Sequence, residues 1–424
     1  MNASAPSPSK TLWRNADFVR LLAAGGVSAF GARITREGLP LIAVLLLRAT
    51  PAEIGLLAAL RAAPAILVGP LCGGWVDTTR RRRVLIAADL SRAALLLAIP
   101  LAAFAQRLDI SAVYAVGAAV GALSSLFDMA DHAYLPTVTG RDTLVQANSA
   151  LGAVESVAEI GGPGLAGILF SILSAPVAIL ANCLTYLASA LILVGIRTKE
   201  HPVPPGDEAT EGWISIFDGV RLSWRVRPIR ALLLTVAAST LFGSFFSALY
   251  IPFAIRTLGL TPAMLGATIA IGGIGALAGA AMASGLSTRL GIGWALIVTG
   301  FLYAGFTALI PMAGGSPGVG MAVLMAAQFL GDAAGTAFFI YVASLRQATL
   351  PAEVLGRVAG AFAAVGGVAS IAGALGGGAL SQVLGLRETM IIACAGMAMA
   401  QVFAIASPLR RQKVLLDPAP PADA

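Results

Sequence analysis

The chain has 424 residues, of which 58% are hydrophobic and only 12% charged, with a formal net charge of +7. That balance is far more apolar than the roughly quarter-charged average of soluble domains, so it excludes an ordinary soluble enzyme and points to a membrane protein. The basic excess reads as a topology signal and a bias toward anionic lipid, not as nucleic-acid binding.

Apolar runs of about 20 residues, the length that crosses a bilayer as a helix, recur at 18–47, 54–76, 84–105, 110–130, 147–173 and 176–196. They continue at 230–255, 263–286, 292–312, 319–345, 356–384 and 387–407. The runs far exceed a membrane β-strand and show no polar/apolar alternation. They predict an all-α membrane protein with twelve transmembrane helices in two six-helix bundles, 17–196 and 230–408. Segments 1–16 and 409–424 are tails, and 197–229 is the linker. Most Lys and Arg, including Lys10, Arg80 to Arg83, Arg410 and Lys413, fall on one side if the N-terminus is cytoplasmic. Only Arg48, Arg107, Arg256 and Arg387 lie in the opposite turns. Both termini are therefore expected in the cytoplasm of a bacterial-type plasma membrane.

In the first run, "GARITREGLP" (31–40) puts Arg33, Arg36 and Glu37 at mid-membrane depth, and Arg61 follows in the second. A lipid-facing charge costs roughly 2.5 to 3.5 kcal/mol on insertion scales, so these side chains should face the bundle interior. Arg33 and Glu37, at i and i+4, either neutralise one another or leave Glu37 free to bind a proton. In the fifth run, "AVESVAEIGGPGLAGIL" (153–169), Glu155 and Glu159 stand one turn apart, with Pro163 continuing the stripe. Glu159, the deeper acid, either binds a proton or cationic substrate or is paired with an arginine. Glu155 lies nearer the cytoplasmic mouth.

The linker begins "RTKEHPVPPGDEATEG" and continues with Trp213, Ile216, Phe217, Val220 and Trp224 at helical spacing beside Arg221, Arg225 and Arg227. This reads as an amphipathic helix on the membrane face, or as a solvated linker helix. In the seventh run, "LFGSFFSALY" (241–250) offers Phe242, Phe245, Phe246 and Tyr250 either to a hydrophobic pocket or to packing. The eighth run places Gly275, Gly279 and Ala283 at four-residue spacing, a small face expected to meet the fifth run across the halves. Asp332 in the tenth run, "FLGDAAGTAFF", has no sequence partner and is a second candidate for protonation.

"AYLPTVTGRDTLVQANSALG" (133–152) recurs loosely as "ATLPAEVLGRVAGAFAAVGG" (348–367), with Leu135 and Pro136 mapping onto Leu350 and Pro351. Such a repeat fits a transporter with pseudo-twofold halves and a site near the midplane. No lysine follows a glycine-rich phosphate loop, and His132 and His201 stand alone. Cys72, Cys183 and Cys394 show no paired spacing. No enzymatic activity, metal or cofactor is expected.

The segment "GGWVDTTRRRRVLIAADLSRA" (73–93) resembles the signature loop between the second and third spans of the major facilitator superfamily. Gly73, Asp77, Arg81 and Arg82 match it, while Thr78 and Arg80 depart from it. With "LFDMADHAYLP" (126–136), "GPGLAG" (162–167), "ASLRQATLP" (343–351) and "LGRV" (355–358), the chain resembles the exporter branch that contains macrolide-efflux and enterobactin-export proteins. The resemblance implies a gating loop. In it, Asp77 accepts from the start of a neighbouring helix and Arg81 or Arg82 finds an acid such as Asp128. Asp89, Arg92 and Asp131 are expected to act as gate and topology residues beside them. Gly162, Pro163, Gly164 and Gly167 resemble the glycine-proline motif that antiporters of the superfamily carry in the fifth span. Exporters of the superfamily can also carry an acid just after the first-span glycine, where this chain has Ala32. The implied protein is a monomeric secondary transporter that exports small hydrophobic or amphipathic molecules by alternating access, coupled to protons. The alternatives are a dedicated siderophore or metabolite exporter, a lysophospholipid translocator, and a non-transporting membrane sensor.

Overall fold

The computed structural model describes residues 12–200 and 212–412, apart from the side chains at 73, 77, 141 and 212–215. Lys10, His201 and Lys413 lie outside the described residues. The first six long helices are α1 (Ala16–Leu45), α2 (Pro51–Thr78), α3 (Arg81–Phe104), α4 (Ile110–Thr139), α5 (Leu144–Ile172) and α6 (Ala175–Val194). A short helix α7 (Gly212–Arg225) precedes a seventh span assembled from α8 (Arg227–Gly243), α9 (Phe245–Pro252) and a π-turn, Phe253–Thr257. Then come α10 (Pro262–Leu290), the interrupted pair α11 (Ile292–Thr307) and α12 (Leu309–Met312), α13 (Pro317–Thr349), α14 (Ala352–Leu384) and α15 (Leu386–Ile405). Together they supply 12 helices long and apolar enough to cross a membrane. Among the described residues there is no strand.

Local chemistry fixes the helix starts. Thr50 and Glu53 form a reciprocal capping box on α2, with Glu53 N donating to Thr50 Oγ1 at 3.3 Å and Thr50 N to Glu53 Oε2 at 2.6 Å. Asn15 caps α1 by accepting from Asp17 N at 3.1 Å and Phe18 N at 3.2 Å. Its amide also donates to Val138 O at 2.9 Å, tying the start of α1 to the end of α4. The fourth apolar run, read as ending near Ala130, continues helically to Thr139. Its repeat partner stops at Thr349, before Pro351. Pro136 lies inside α4 and its carbonyl still accepts from Gly140 N at 3.0 Å, whereas Pro351 caps α14.

Two long helix pairs join the halves: α2 against α14 and α5 against α10. Both contacts crowd toward the end of the molecule opposite the termini. A Cβ at Gly55 would lie 2.3 Å from Ala374 O, and one at Gly378 would lie 2.8 Å from Pro51 O. On the other pair, a Cβ at Gly167 would meet Pro262 O at 2.5 Å, and one at Gly266 would meet Pro163 O at 2.5 Å. Arg256 Nη2 donates to Ala49 O at 2.8 Å, and Ala263 N donates to Ser171 Oγ at 2.8 Å, both across the halves. Toward the terminal end, past the Ile66–Gly367 and Ile160–Gly273 contacts, Gly69, Gly152 and Gly285 face open space. The halves are thus closed at the far end, and these three glycines meet no neighbour at the end that carries Leu12 and Gln412.

The small face of α10 needs correction. A Cβ at Gly275 would meet Phe329 O at 2.1 Å, and one at Gly279 would meet Ala333 O at 2.1 Å; Ala283 O accepts from Tyr341 Oη at 2.6 Å. That face packs on α13 within the second half. The residues of α10 that meet α5 are Pro262, Ala263, Gly266, Ala270 and Gly273, on a different face of the same helix.

Helix α7 presents Gly219 to Arg357 O, where a Cβ would sit only 2.1 Å away, and buries Ser223 against the second half. Phe217 and Trp224 remain exposed. The side chain of Trp213 lies outside the described part.

Candidate functional site

Gly162 decides where the charges of α1 go. A Cβ there would stand 2.4 Å from Arg33 Cβ, so only glycine lets α1 approach α5 this closely. The approach brings Arg33 Nε to 2.7 Å from Glu159 Oε2, a charge contact without hydrogen-bond alignment, and Arg36 Nη2 to 2.8 Å from Glu159 Oε1. Arg36 Nε also donates to Glu37 Oε1 at 2.9 Å, and Arg61 Nη1 donates to Arg36 O at 3.1 Å. Arg33 therefore pairs with Glu159 rather than with Glu37. Arg33 and Arg36 hold the two carboxylates and Arg61 adds a third guanidinium through the Arg36 carbonyl, so the cluster carries one more positive than negative charge. Pro163 lacks the N–H that would bond Glu159 O, which loosens α5 where that acid is held.

Asp332 sits differently. A Cβ on Gly272 would touch its carboxylate, so α13 approaches α10 just where the acid emerges. Among the described residues Asp332 makes no hydrogen bond or ion pair. It lines a cavity of about 140 Å³ with Phe246, Tyr250, Tyr303, Gln328 and Met397. The two interrupted spans both border this cavity: Gly243 ends α8 and Thr307 ends α11. Broken helices at membrane depth are tolerated where they are packed by protein or line a cavity, and they commonly frame binding sites in transporters. Tyr250 Oη donates to Thr268 Oγ1 at 3.0 Å, which fixes one wall. The aromatics of the seventh run divide: Phe246 and Tyr250 line the cavity, while Phe242 packs on Phe245, ring centroids 5.6 Å apart, and over Gly396.

The sequence profile described as Major Facilitator Superfamily matches residues 21–374. The chain belongs to that superfamily. It is 27% identical over 395 residues to an uncharacterized MFS-type transporter, YfiS, of Bacillus subtilis (strain 168), covering 90% of this chain and 91% of that one. It is also 27% identical over 361 residues to the multidrug efflux pump Tap of Mycolicibacterium fortuitum, covering 82% of this chain and 85% of Tap. Among solved structures it is similar to a bacterial homologue of the iron transporter ferroportin in an inward-facing state, with a TM-score of 0.74 at 17% identity over 92% of this chain and 98% of that one. The nucleoside transporter NupG gives a TM-score of 0.72 at 14% identity over 93% of this chain and 98% of NupG. These likenesses show the fold. A superfamily member with this architecture is a multi-pass membrane transporter of small molecules, not an enzyme.

The loop after α2 is described at the start of α3. Gly73 and Asp77 lie near the end of α2, their side chains outside the described part. At the start of α3, Glu200 Oε2 accepts from Arg81 N at 2.5 Å and Glu200 Oε1 accepts from Arg82 N at 3.0 Å. Arg82 reaches the last carbonyls of α6, donating from Nε to Leu193 O at 2.9 Å and from Nη2 to Val194 O. An arginine at these carbonyls complements the negative end of that helix. Asp128 instead lines a cavity of about 50 Å³ with Arg92, Asp131, Ser28 and Glu155, well inside the first half. Glu155 is exposed at its rim, apart from Glu159.

Arg92 and Asp89 form a deeply buried ion pair, 1% and 0% exposed. Arg92 Nη2 also donates to Ser28 Oγ at 3.0 Å, and its guanidinium lies over the rings of Phe127 and Tyr186 at 4.4 and 4.5 Å. This hub ties α1, α3, α4 and α6 together. Reading the sequence placed Asp89 and Arg92 in a gate and gave no place to Ser28, Tyr303 or Gln328. The i, i+3 spacing of Asp89 and Arg92 was the available signal for the pair. Gln328 stands one turn before Asp332 on α13, a spacing visible in the sequence, whereas nothing local marks Tyr303, which reaches Asp332 only through the packing of α11 on α13.

Proposed function

We propose that the protein exports small hydrophobic or amphipathic, drug-like molecules by proton-coupled alternating access, with Asp332 as the titrating carboxyl. The observation that carries this reading is an acid with no counter-ion among the described residues, facing a cavity walled by Phe246, Tyr250, Tyr303 and Met397. Aromatic and thioether surface takes apolar bodies of varied shape, and a carboxylate in that setting selects between a proton and a cationic group. Glu159, neutralised by Arg33 and Arg36, holds α1 against α5 and sets the charge of the opposite wall. Its kinship with the multidrug efflux pump Tap supports the substrate class.

In this reading the halves 17–196 and 230–408 rock as bodies, both termini lie in the cytoplasm of a bacterial-type plasma membrane, and the protein works as a monomer. The distribution of arginines supports that orientation. The conformation described, closed at the far end, is then the one open to the cytoplasm. Deprotonation of Asp332 from that side admits substrate; protonation from outside after outward opening expels it. The glycine contacts of α5 with α10 are the sliding surface, and the loop at Gly73, Asp77, Arg81 and Arg82 is the cytoplasmic gate.

A second reading rests on the surplus of arginine over carboxylate at Arg33, Arg36 and Arg61. That excess favours a substrate bearing an anionic group, as a catechol siderophore or a lysophospholipid would. Accumulation of macrolides, lipophilic cationic dyes and catechol siderophores in an efflux-deficient bacterium producing the protein separates the two. Exclusion of dyes or macrolides that a protonophore abolishes supports the proposal. Exclusion of siderophores alone supports the second reading, and no change for any compound at full membrane expression contradicts both.

A further inference from the structure

A second cavity lies away from the one that Asp332 lines. About 470 Å³ in volume, it opens between the start of α8 and the end of α15, and is lined by Arg227, Arg230, Arg410 and Arg411 with no acid among its lining residues. Among the described residues none of these four guanidiniums has a side-chain hydrogen bond or ion pair. Four converging cations without a counter-ion repel one another, so the pocket is unfavourable until an anion enters.

The pocket is also held in shape. The short 3-10 turn Pro408–Arg411 is pinned by the buried Leu409, by Leu409 N donating to Ser407 Oγ at 3.2 Å, and by Gly293 N donating to Gln412 O at 3.1 Å. A Cβ at Gly293 would stand 1.9 Å from Leu409 O, so glycine alone lets the turn dock on α11. Arg410 and Arg411 are thereby carried by a fixed turn beside Arg227 and Arg230. Its floor is apolar, with Leu234 and the exposed Phe403, and it sits where the membrane-spanning stretches Arg227–Thr257 and Leu386–Ile405 reach the bilayer boundary.

We infer that this pocket binds the headgroup of an anionic phospholipid, the phosphate seated among the four arginines and the acyl chains running down the outer face of α15 past Phe403. A soluble phosphate would satisfy the charge but has no use for the apolar floor or the position at the boundary, which is why a lipid is the assigned occupant. The inference is independent of what the protein transports.

Native mass spectrometry of the full-length protein, titrated with phosphatidylglycerol, phosphatidylcholine or inorganic phosphate, tests it. Wild type should hold phosphatidylglycerol at least about tenfold more tightly than R230Q/R410Q. Phosphatidylcholine should not distinguish the two proteins. R14Q/R289Q, which neutralises two exposed arginines elsewhere at the same end, should bind as wild type does, and R227Q/R411Q should repeat the loss should the first pair unfold the protein. Equal phosphatidylglycerol binding by wild type and the pocket variants overturns the inference, as does an equal loss in R14Q/R289Q. Inorganic phosphate binding as tightly as the lipid overturns the lipid assignment.

Discussion

A single buried pair shows how much one residue can carry. Arg92 and Asp89 have almost no exposed surface, and the guanidinium is spent on Asp89, Ser28 and two aromatic rings. Removing one partner strands the other charge, which costs about 3–5 kcal/mol. R92Q should therefore lower thermal stability in detergent sharply, and D89N/R92Q should recover a large part of the loss; equal instability of single and double variants would mean that the pair is not the cause. The charges of the first half were legible as buried from their place in apolar runs, but their partners were not. Spacing on α1 suggested Arg33 with Glu37, whereas the absence of a side chain at Gly162 brings Arg33 to Glu159 on another helix. Asp332 was legible as lacking a charged partner because the residues around it in the sequence carry no charge, and among the described residues it makes no ion pair.

At the scale of helices, α10 shows why glycine patterns locate contacts without naming the partner. Its glycines supply two faces: Gly275 and Gly279 meet α13, and Gly266 with Ala270 meets α5. Four-residue spacing was visible in the sequence, but which face turns toward which neighbour depends on the tilt of three helices at once. The two faces should respond differently to a methyl group. G279A forces Ala333 O aside within the second half and should destabilise the protein by about 1–3 kcal/mol, read as a fall in its melting temperature in detergent. G266A wedges against Pro163 O and Gly167 at the junction of the halves, so it should open the far end instead. Faster labelling of a cysteine placed at Ser171 checks this, and unchanged labelling would contradict it. The span count was readable from hydropathy; the breaks after Gly243 and Thr307, which border the Asp332 cavity, were not, because the apolar runs continue through them.

For the whole molecule, the far-end closure is the state that must be undone for export. Ala263 N and Ser171 Oγ meet there at 2.8 Å, and Arg256 spans the same junction to Ala49 O. Cysteines at 171 and 263, bridged by a short bifunctional reagent, should lock the halves and stop transport, with activity returning when a cleavable bridge is cut. Transport that continues in the bridged protein would mean that the halves need not part at this end. R256A should act in the opposite sense, raising accessibility of the far end without a bridge.

The most direct test of the central claim is proton movement driven by substrate in proteoliposomes containing the purified protein. A lipophilic cationic dye that the protein excludes from cells is added on one side, and internal pH is followed with a trapped indicator. The account predicts a dye-dependent proton flux in wild type that disappears in D332N while dye still binds. Wild-type flux retained in D332N, or dye transport with no accompanying proton movement, would contradict it.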